Sequence, residues 1–156
     1  MRGNPEELAR DFTGWHDDVQ SMLRNIDEPY KWALASRPPL ERWSIGRVTL
    51  LGDACHPTLP MLAQGAVMAL EDGFILGRCL NEFDTIEEAL RRYEAARLER
   101  TTRIVSGSAE NAQRFHNKKL GDADEAQRFV DLEWAKEKVQ DRYEWLFRYD
   151  VTSTPI

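Results

Sequence analysis

Residues 50–73 read LLGDACHPTLPMLAQGAVMALEDG, and this stretch decides the fold of the 156-residue chain. A short apolar run ends at Gly52 and Asp53, two prolines frame a loop, and an Ala-Gln-Gly triplet opens a predicted helix. A strand followed by a glycine-containing loop and a helix start presents backbone N–H groups to a phosphate or an electron-rich ring. The stretch therefore predicts a binding site for a ligand of that kind.

The composition is typical of a globular protein and disfavours nucleic-acid and membrane binding. Apolar residues make up 42% of the chain, charged residues 31%, and the net charge is −6, whereas nucleic-acid binding needs a basic surface. No apolar run approaches the length of a membrane span, and the first residues lack a signal-peptide pattern, so we predict a cytoplasmic protein. Cys55 and Cys79 lack the spacing of a metal or redox motif, and we expect buried, reduced thiols and no metal.

Helix signals dominate most of the chain. Caps and apolar periodicity predict helices beginning at Asn4–Pro5 and spanning residues 15–25, 65–80, 84–116 and 122–147. The helix at 65–80 is apolar around much of its circumference, so we expect it to be largely buried. Gly73 and Gly77 on this helix predict that another element passes close to their face.

Two strands are predicted in the first third of the chain. In residues 30–34 the large apolar residues Tyr30, Trp32 and Leu34 recur at every second position, which is typical of a strand. Residues 48–51 form a continuous apolar run closed by Gly52, which is typical of a strand buried on both faces of a parallel sheet. The predicted fold is a single domain, mainly α with a few short strands.

Two residues of the opening stretch each have two interpretations. Asp53 follows a strand-ending glycine, where its carboxylate would accept hydrogen bonds from sugar or polyol hydroxyls, or would cap a short turn at 54–56. Gly65 begins a helix, where its N–H would contact a phosphate or a reduced ring, or where the glycine would allow tight packing. The residues alone leave both pairs open.

Other polar residues nearby favour structural roles. His56 has no second histidine near it in sequence, so we interpret it as a hydrogen-bonded structural histidine. Glu71 and Asp72 would form an exposed helix edge or pair with an arginine. The chain has no serine nucleophile elbow and no CxxC motif, which argues against a hydrolase or a thiol redox enzyme.

Residues 46–73, GRVTLLGDACHPTLPMLAQGAVMALEDG, resemble the Gly-Asp motif of class A flavoprotein monooxygenases, in particular the salicylate and hydroxybenzoate hydroxylase group. The Gly-Asp pair, a proline seven residues after the aspartate, a glycine twelve after it and a closing Glu-Asp fall at the family spacing. Residues 32–43, 93–105 and 145–156 are also similar to that family, so the resemblance covers nearly the whole chain. Ala63 is often glycine and Cys55 often alanine in the family.

The resemblance implies a cofactor and a site. It implies FAD contacts at Gly52, Asp53, Pro60, Gly65, Ala66 and Val67, with Asp53 on the ribityl hydroxyls and the helix start at the pyrimidine edge of the flavin. Pro60 and Gln64 would lie at the junction of flavin and substrate, where Gln64 would orient or polarise a phenol. The family uses NADH or NADPH to reduce FAD, and then O₂ to hydroxylate a phenolic or aromatic acid such as a hydroxybenzoate or salicylate.

None of the nine glycines forms a G-x-G-x-x-G fingerprint, which the family carries near its N-terminus. The resemblance therefore implies the C-terminal part of a hydroxybenzoate hydroxylase-like α/β fold that binds FAD and NAD(P)H, without its N-terminal nucleotide-binding sheet. Residues 1–46 would end the substrate-domain segment, 47–80 would contact flavin, and 81–156 would form C-terminal helices. We expect the chain alone to be inactive and its exposed strand edges to be covered in a homodimer or by its own repacked N-terminal segment. The alternative is a truncated, non-catalytic helical module that assembles with a partner chain.

Overall fold

The computed structural model describes all 156 residues, which form two compact units, residues 1–34 and 35–156. Six α-helices account for most of the chain, and the only sheet is a two-stranded hairpin. The prediction of a mainly α chain with a few short strands is therefore confirmed. The division after residue 34 does not coincide with the segment boundary at residue 46. No helix has both the length and the apolar character needed to cross a bilayer.

The first unit contains helices α1 (Pro5–Asp11) and α2 (Asp17–Arg24). The Asn4 side chain accepts a hydrogen bond from the Glu6 N–H at 2.8 Å, and proline occupies the first turn of α1, as predicted. Helix α2 begins later than predicted, after a His16 cap, and neither helix has a buried residue.

The predicted strand at residues 30–34 is wrong. Tyr30 forms one isolated antiparallel bridge with Arg2, and residues 31–34 have no strand partner. Their alternation does not reflect a buried face, because Trp32 and Leu34 are 79% and 61% exposed.

The second unit begins with strands β1 (Ser44–Ile45) and β2 (Val48–Thr49), which pair antiparallel. The prediction of a parallel strand buried on both faces is wrong here, because Val48 is 68% exposed. Gly46, with a φ of +57°, opens a two-residue turn that folds the chain back on itself. The Ser44 hydroxyl meets that of Thr49 at 2.8 Å on the inner face, while Ile45 and Val48 face solvent.

Helices α3 (Gly65–Glu82) and α4 (Ile86–Phe115) pack together to form the centre of this unit. The Thr85 side chain caps α4 by accepting from the Glu88 N–H, and the helix ends one residue before His116, as predicted. One core cluster lies under the hairpin and a second lies towards the C-terminal helices. The buried members of the first cluster are Trp43, Cys55, Ile75, Cys79, Ala89 and Tyr93. Those of the second cluster are Met68, Ile104, Val105 and Leu146.

The prediction that α3 is largely buried is wrong for one of its faces. Val67, Leu70 and Phe74 are 40%, 75% and 43% exposed, and a β-carbon at Gly73 or Gly77 would meet no atom within 4 Å. No element of this chain therefore passes close to those glycines. The periodicity identified an apolar face, but this chain supplies nothing that covers it.

The predicted helix at 122–147 is two helices, α5 (Ala123–Glu133) and α6 (Lys136–Phe147). Asp122 caps α5 by accepting from the Glu125 N–H at 2.9 Å, as predicted. The Arg142 guanidinium donates to the Glu133 carbonyl at 3.2 Å and to its carboxylate at 3.0 Å, and these hydrogen bonds stabilise the break between the helices.

Candidate functional site

An open groove of about 500 Å³ is formed by the two 3₁₀ turns that follow β2 and by the first turns of α3. Most of its lining residues are small, so much of its wall is backbone. They are Asp53, Thr58, Pro60, Ala63, Gly65, Ala66 and Ala69. Four of the residues predicted from sequence are thus brought together: Asp53, Pro60, Gly65 and Ala66.

Asp53 is the only charged residue in the groove lining. It lies within the 3₁₀ turn Gly52–Ala54, which has no side-chain cap, and its exposed carboxylate has no hydrogen bond or ion pair in the chain. The capping interpretation of Asp53 is therefore wrong. Its carboxylate is free to accept hydrogen bonds from a ligand.

The N-terminus of α3 lines the groove with free backbone donors. Gln64 precedes the helix and supplies no side-chain cap, and the N–H groups of Gly65, Ala66 and Val67 have no acceptor in the chain. These groups carry the positive end of the helix dipole. The groove thus contains both a carboxylate acceptor and a partly positive row of donors.

Packing within the chain does not require glycine at position 65. A β-carbon there would lie 3.6 Å from Thr58 Cγ2, which is an ordinary van der Waals contact. The tight-packing interpretation of Gly65 is therefore not supported, and the space beside this residue belongs to the groove.

The turn between Leu59 and Gln64 is held from behind by α4. The buried Ser108 hydroxyl donates to the Leu59 carbonyl at 2.5 Å, and the Asn111 amide donates to the Met61 carbonyl at 3.2 Å. Ala63 adopts a left-handed conformation with a φ of +53°, which is uncommon for a residue with a side chain.

Three of the predicted site residues do not line the groove. Gln64 is 9% exposed, Val67 points elsewhere and is 40% exposed, and Gly52 is buried beneath Asp53. Gly52 has a φ of +62°, and a β-carbon on it would lie 3.4 Å from Ala69 Cβ. Its role in the chain is to form the tight turn that carries Asp53.

A buried ionic network lies behind this turn. Asp72 Oδ2 accepts from the Gly52 N–H at 3.1 Å and is 2.5 Å from His56 Nε2, while Asp72 Oδ1 accepts from Arg97 Nε at 2.8 Å. Arg97 also donates to Glu71 at 2.7 Å. His56 is therefore the hydrogen-bonded histidine that was predicted, and Glu71 and Asp72 pair with arginine; neither forms an exposed edge.

Burial and pairing have opposite effects on the ionisation of this network. Burial alone would raise the pKa of the Asp72 carboxyl, but hydrogen bonds from His56 and Arg97 outweigh it and hold that pKa below its usual value. Burial likewise acts to lower the pKa of Arg97, and pairing with Asp72 and Glu71 raises it above its usual value. Both groups are therefore charged at neutral pH.

The ligand atoms of Cys55, His56 and Asp72 lie within 4.8 Å of one another. Burial, and then the nearby Asp72 charge, raises the pKa of the Cys55 thiol to about 12, so this side chain stays protonated. The Asp72 carboxylate is already paired with Arg97. The cluster therefore suits a proton and hydrogen-bond network better than a metal ion.

The α4 residues that support the groove were not predicted from the sequence. The sequence pattern that could have identified them is a set of positions, 97, 101, 104, 108 and 111, whose spacings alternate between four and three, as on one face of a helix. All five residues are buried, although four of them are polar. Arg97, Thr101, Ser108 and Asn111 thus share a face with Ile104. A polar residue at such a position in an apolar stripe indicates a buried partner.

Comparison with known proteins identifies the family of the chain. Residues 4–108 match the FAD binding domain family. The chain is 37% identical over 158 residues to a 6-hydroxynicotinate 3-monooxygenase of Pseudomonas fluorescens, covering 100% of this chain and 35% of that enzyme. The chain therefore belongs to the FAD-binding-domain family, and it spans about a third of the length of this relative.

Solved structures show the same fold. A salicylate hydroxylase substrate complex has a TM-score of 0.79 at 27% identity, covering 98% of this chain and 37% of that one. A variant of HpxO from Klebsiella pneumoniae, complexed with FAD, has a TM-score of 0.74 at 28% identity, covering 98% of this chain and 40% of that one. The resemblance to flavoprotein monooxygenases is thus confirmed, and FAD is the cofactor of the family.

Proposed function

We propose that residues 47–80 form one wall of the FAD site of a monooxygenase that hydroxylates a phenolic or aromatic acid, such as a hydroxybenzoate or salicylate. One observation carries the proposal: the free Asp53 carboxylate and the free N–H groups at the start of α3 line the same groove. The relatives are named for such reactions, which favours this function over a non-catalytic helical module.

Asp53 is proposed to bind the ribityl chain. The hydroxyls of that chain need acceptors, and Asp53 supplies the only carboxylate in the groove. Hydrogen bonds to a charged group are about twice as strong as neutral ones, so one carboxylate contributes substantially to affinity. Gly52 contributes by forming the left-handed turn beneath it.

The start of α3 is proposed to face the flavin ring. Gly65 and Ala66 present backbone to the groove, and their N–H groups stabilise negative charge on a reduced ring through the helix dipole. FAD, once reduced by NADH or NADPH, would supply the chemistry with O₂. Val67 would contribute its N–H only, because its side chain does not line the groove.

Pro60 and Gln64 are proposed to lie at the junction of flavin and substrate. Pro60 lines the groove and has a fixed backbone conformation, so it forms a rigid edge. Gln64 is largely buried, and its proposed contact with a phenol requires its side chain to rotate toward the groove.

A complete site needs a second wall, and the proposal assigns it to a nucleotide-binding sheet outside residues 1–156. In this proposal the exposed residues Ile45 and Val48 and the bare face of α3 lie against that sheet. In the isolated chain a second copy covers these surfaces, giving a homodimer. Light scattering tests this part, and a monomer at micromolar concentration would contradict it.

The site itself is tested by titrating the ¹⁵N-labelled chain with FMN, which carries the ring and the ribityl chain, and with ADP-ribose, which carries neither. FMN is expected to shift the amide resonances of Asp53, Gly65 and Ala66, whereas ADP-ribose leaves them unchanged. Asp53→Asn should weaken FMN binding by about tenfold or more, because a charged acceptor is lost. The matched control is Asp84→Asn, an exposed aspartate outside the groove.

Two results would contradict the proposal. One is a set of FMN-induced shifts that fall outside the groove, and the other is equal FMN affinity in Asp53→Asn and the unsubstituted chain. NMR is the suitable method because it detects the weak binding expected of a site with one wall.

A further inference from the structure

The turn that carries Asp53, taken here as residues 52–56, is short and is held at both ends. Within it, the Cys55 and His56 N–H groups donate to the Gly52 carbonyl at 2.9 and 3.0 Å. The Gly52 N–H points the other way, into the protein, and His56 closes the turn with a side chain that is 2% exposed. The position of Asp53 therefore depends on what holds Gly52 and His56.

A single carboxylate oxygen holds both of them. Asp72 Oδ2 accepts from the Gly52 N–H at 3.1 Å and from His56 Nε2 at 2.5 Å. Because Asp72 is ionised and only accepts, Nε2 carries the proton of the imidazole. Asp72 thus joins the first and last residues of the turn to α3.

Arg97 fixes the carboxylate from α4. Its Nε donates to Asp72 Oδ1 at 2.8 Å, its Nη1 to the Tyr149 hydroxyl at 3.0 Å, and its Nη2 to Glu71 at 2.7 Å. The Arg97 and Asp72 side chains are fully buried. Both oxygens of the Asp72 carboxylate therefore accept hydrogen bonds, and the group has little freedom to move.

We propose that Asp72 is a positioning residue for the proposed flavin-binding groove. By binding Gly52 and His56, it determines the position of the Asp53 carboxylate in the groove. The inference that the position of Asp53 affects flavin affinity rests on the proposed function above. Glu71 provides the comparison within the chain, because it is also buried and is bound to Arg97 and Arg100 but has no hydrogen bond to the turn.

The first test measures the turn without any ligand. Amide hydrogen exchange of Gly52 is followed by NMR in Asp72→Asn, with Glu71→Gln as the matched control. We expect the Gly52 amide to exchange at least about tenfold faster in Asp72→Asn than in the parent chain. In Glu71→Gln, the ratio of the Gly52 exchange rate to the rates of the helix amides should be the same as in the parent chain. His56→Leu keeps the Asp72–Arg97 pair and should act in the same direction, which covers the case in which Asp72→Asn does not fold.

The second test asks whether Asp72 acts through Asp53. In a double-mutant cycle, Asp72→Asn should weaken FMN binding by about tenfold in the parent chain but have little effect in an Asp53→Asn background. A residue that only stabilises the fold would give the same factor in both backgrounds, and that result would overturn the inference. Equal Gly52 exchange in Asp72→Asn and Glu71→Gln would also overturn it.

The two proposals fail separately. If the parent chain shows no FMN binding at the groove, the proposed function is wrong, and the Gly52 exchange rates still decide whether Asp72 holds the turn. If FMN binds and Gly52 exchange does not respond to Asp72→Asn or His56→Leu, the site stands and the positioning role is wrong.

Discussion

The Asp72 carboxylate and the Arg97 guanidinium lie 2.8 Å apart, and neither side chain is exposed to solvent. This pair joins α3 to α4 directly behind the groove. Each charge is costly to bury alone, so each depends on the other for its place in the core. The consequences can be measured as stability, pH dependence and ligand affinity.

Arg97→Gln should destabilise the chain by about 3–5 kcal/mol, because it leaves the Asp72 carboxylate buried without its arginine, whereas Glu71 keeps its ion pair with Arg100. Urea unfolding followed by circular dichroism measures the loss. Arg91→Gln is the matched control, since Arg91 is 72% exposed and pairs on the surface of α4. It should cost less than about 1 kcal/mol, and equal losses in the two variants would contradict the role of the buried pair.

Stability should fall in acid because of Asp72. Its folded-state pKa lies below the ordinary value of 3.8, so its contribution is fully present above that value and is lost as the pH falls through the folded-state pKa. Urea unfolding between pH 7 and pH 2 measures this loss. Asp72→Asn should show a smaller decline than the parent chain, and parallel declines would contradict the assignment.

Gly65→Ala should leave the fold intact and weaken FMN binding. The added methyl group meets only an ordinary contact with Thr58 but projects beside the groove. Gly73→Ala is the matched control on the same helix, because a β-carbon there meets nothing within 4 Å. Both variants should be as stable as the parent or slightly more so, since alanine favours the helix. Equal FMN affinity in the two variants would count against a flavin at Gly65.

Ala63→Gly should not destabilise the chain, and should stabilise it by up to about 1 kcal/mol, because Ala63 has a φ of +53°. Ala95→Gly, at an exposed position inside α4, should instead cost about 0.5–1 kcal/mol. Thermal unfolding of both variants provides the measurement. A loss of stability in Ala63→Gly as large as in Ala95→Gly would show that the left-handed turn carries no strain.

Cys55 and Cys79 should resist thiol reagents in the folded chain. Both thiols are fully buried, and burial raises the pKa of each above its ordinary value. Ellman's reagent at pH 8 should therefore label neither thiol in the native chain and both in urea. Rapid labelling of the native chain would contradict this.

Local signals in the sequence were sufficient for the starts of α1, α4 and α5. Asn4 and Asp122 cap α1 and α5, and Thr85 caps α4 within the predicted start of that helix; these starts were predictable because each hydrogen bond joins residues two or three positions apart. The strand predicted at 30–34 is absent, and the strand predicted at 48–51 is present only as β2 of an antiparallel hairpin. Its predicted burial on both faces was wrong, because this chain leaves Val48 exposed. The break between α5 and α6 was missed, since the Arg142 contacts that stabilise it reach back nine residues.

The sequence by itself indicated Asp53, Gly65 and Ala66 as groove residues, because they stand at a strand end and at a helix start, and the family resemblance added Pro60. Only the tertiary structure decided what holds them. Asp72 reaches Gly52 across 20 positions and Arg97 across 25. Such contacts depend on how α3 packs against α4, and a hydrogen bond between distant residues leaves no local pattern in the sequence.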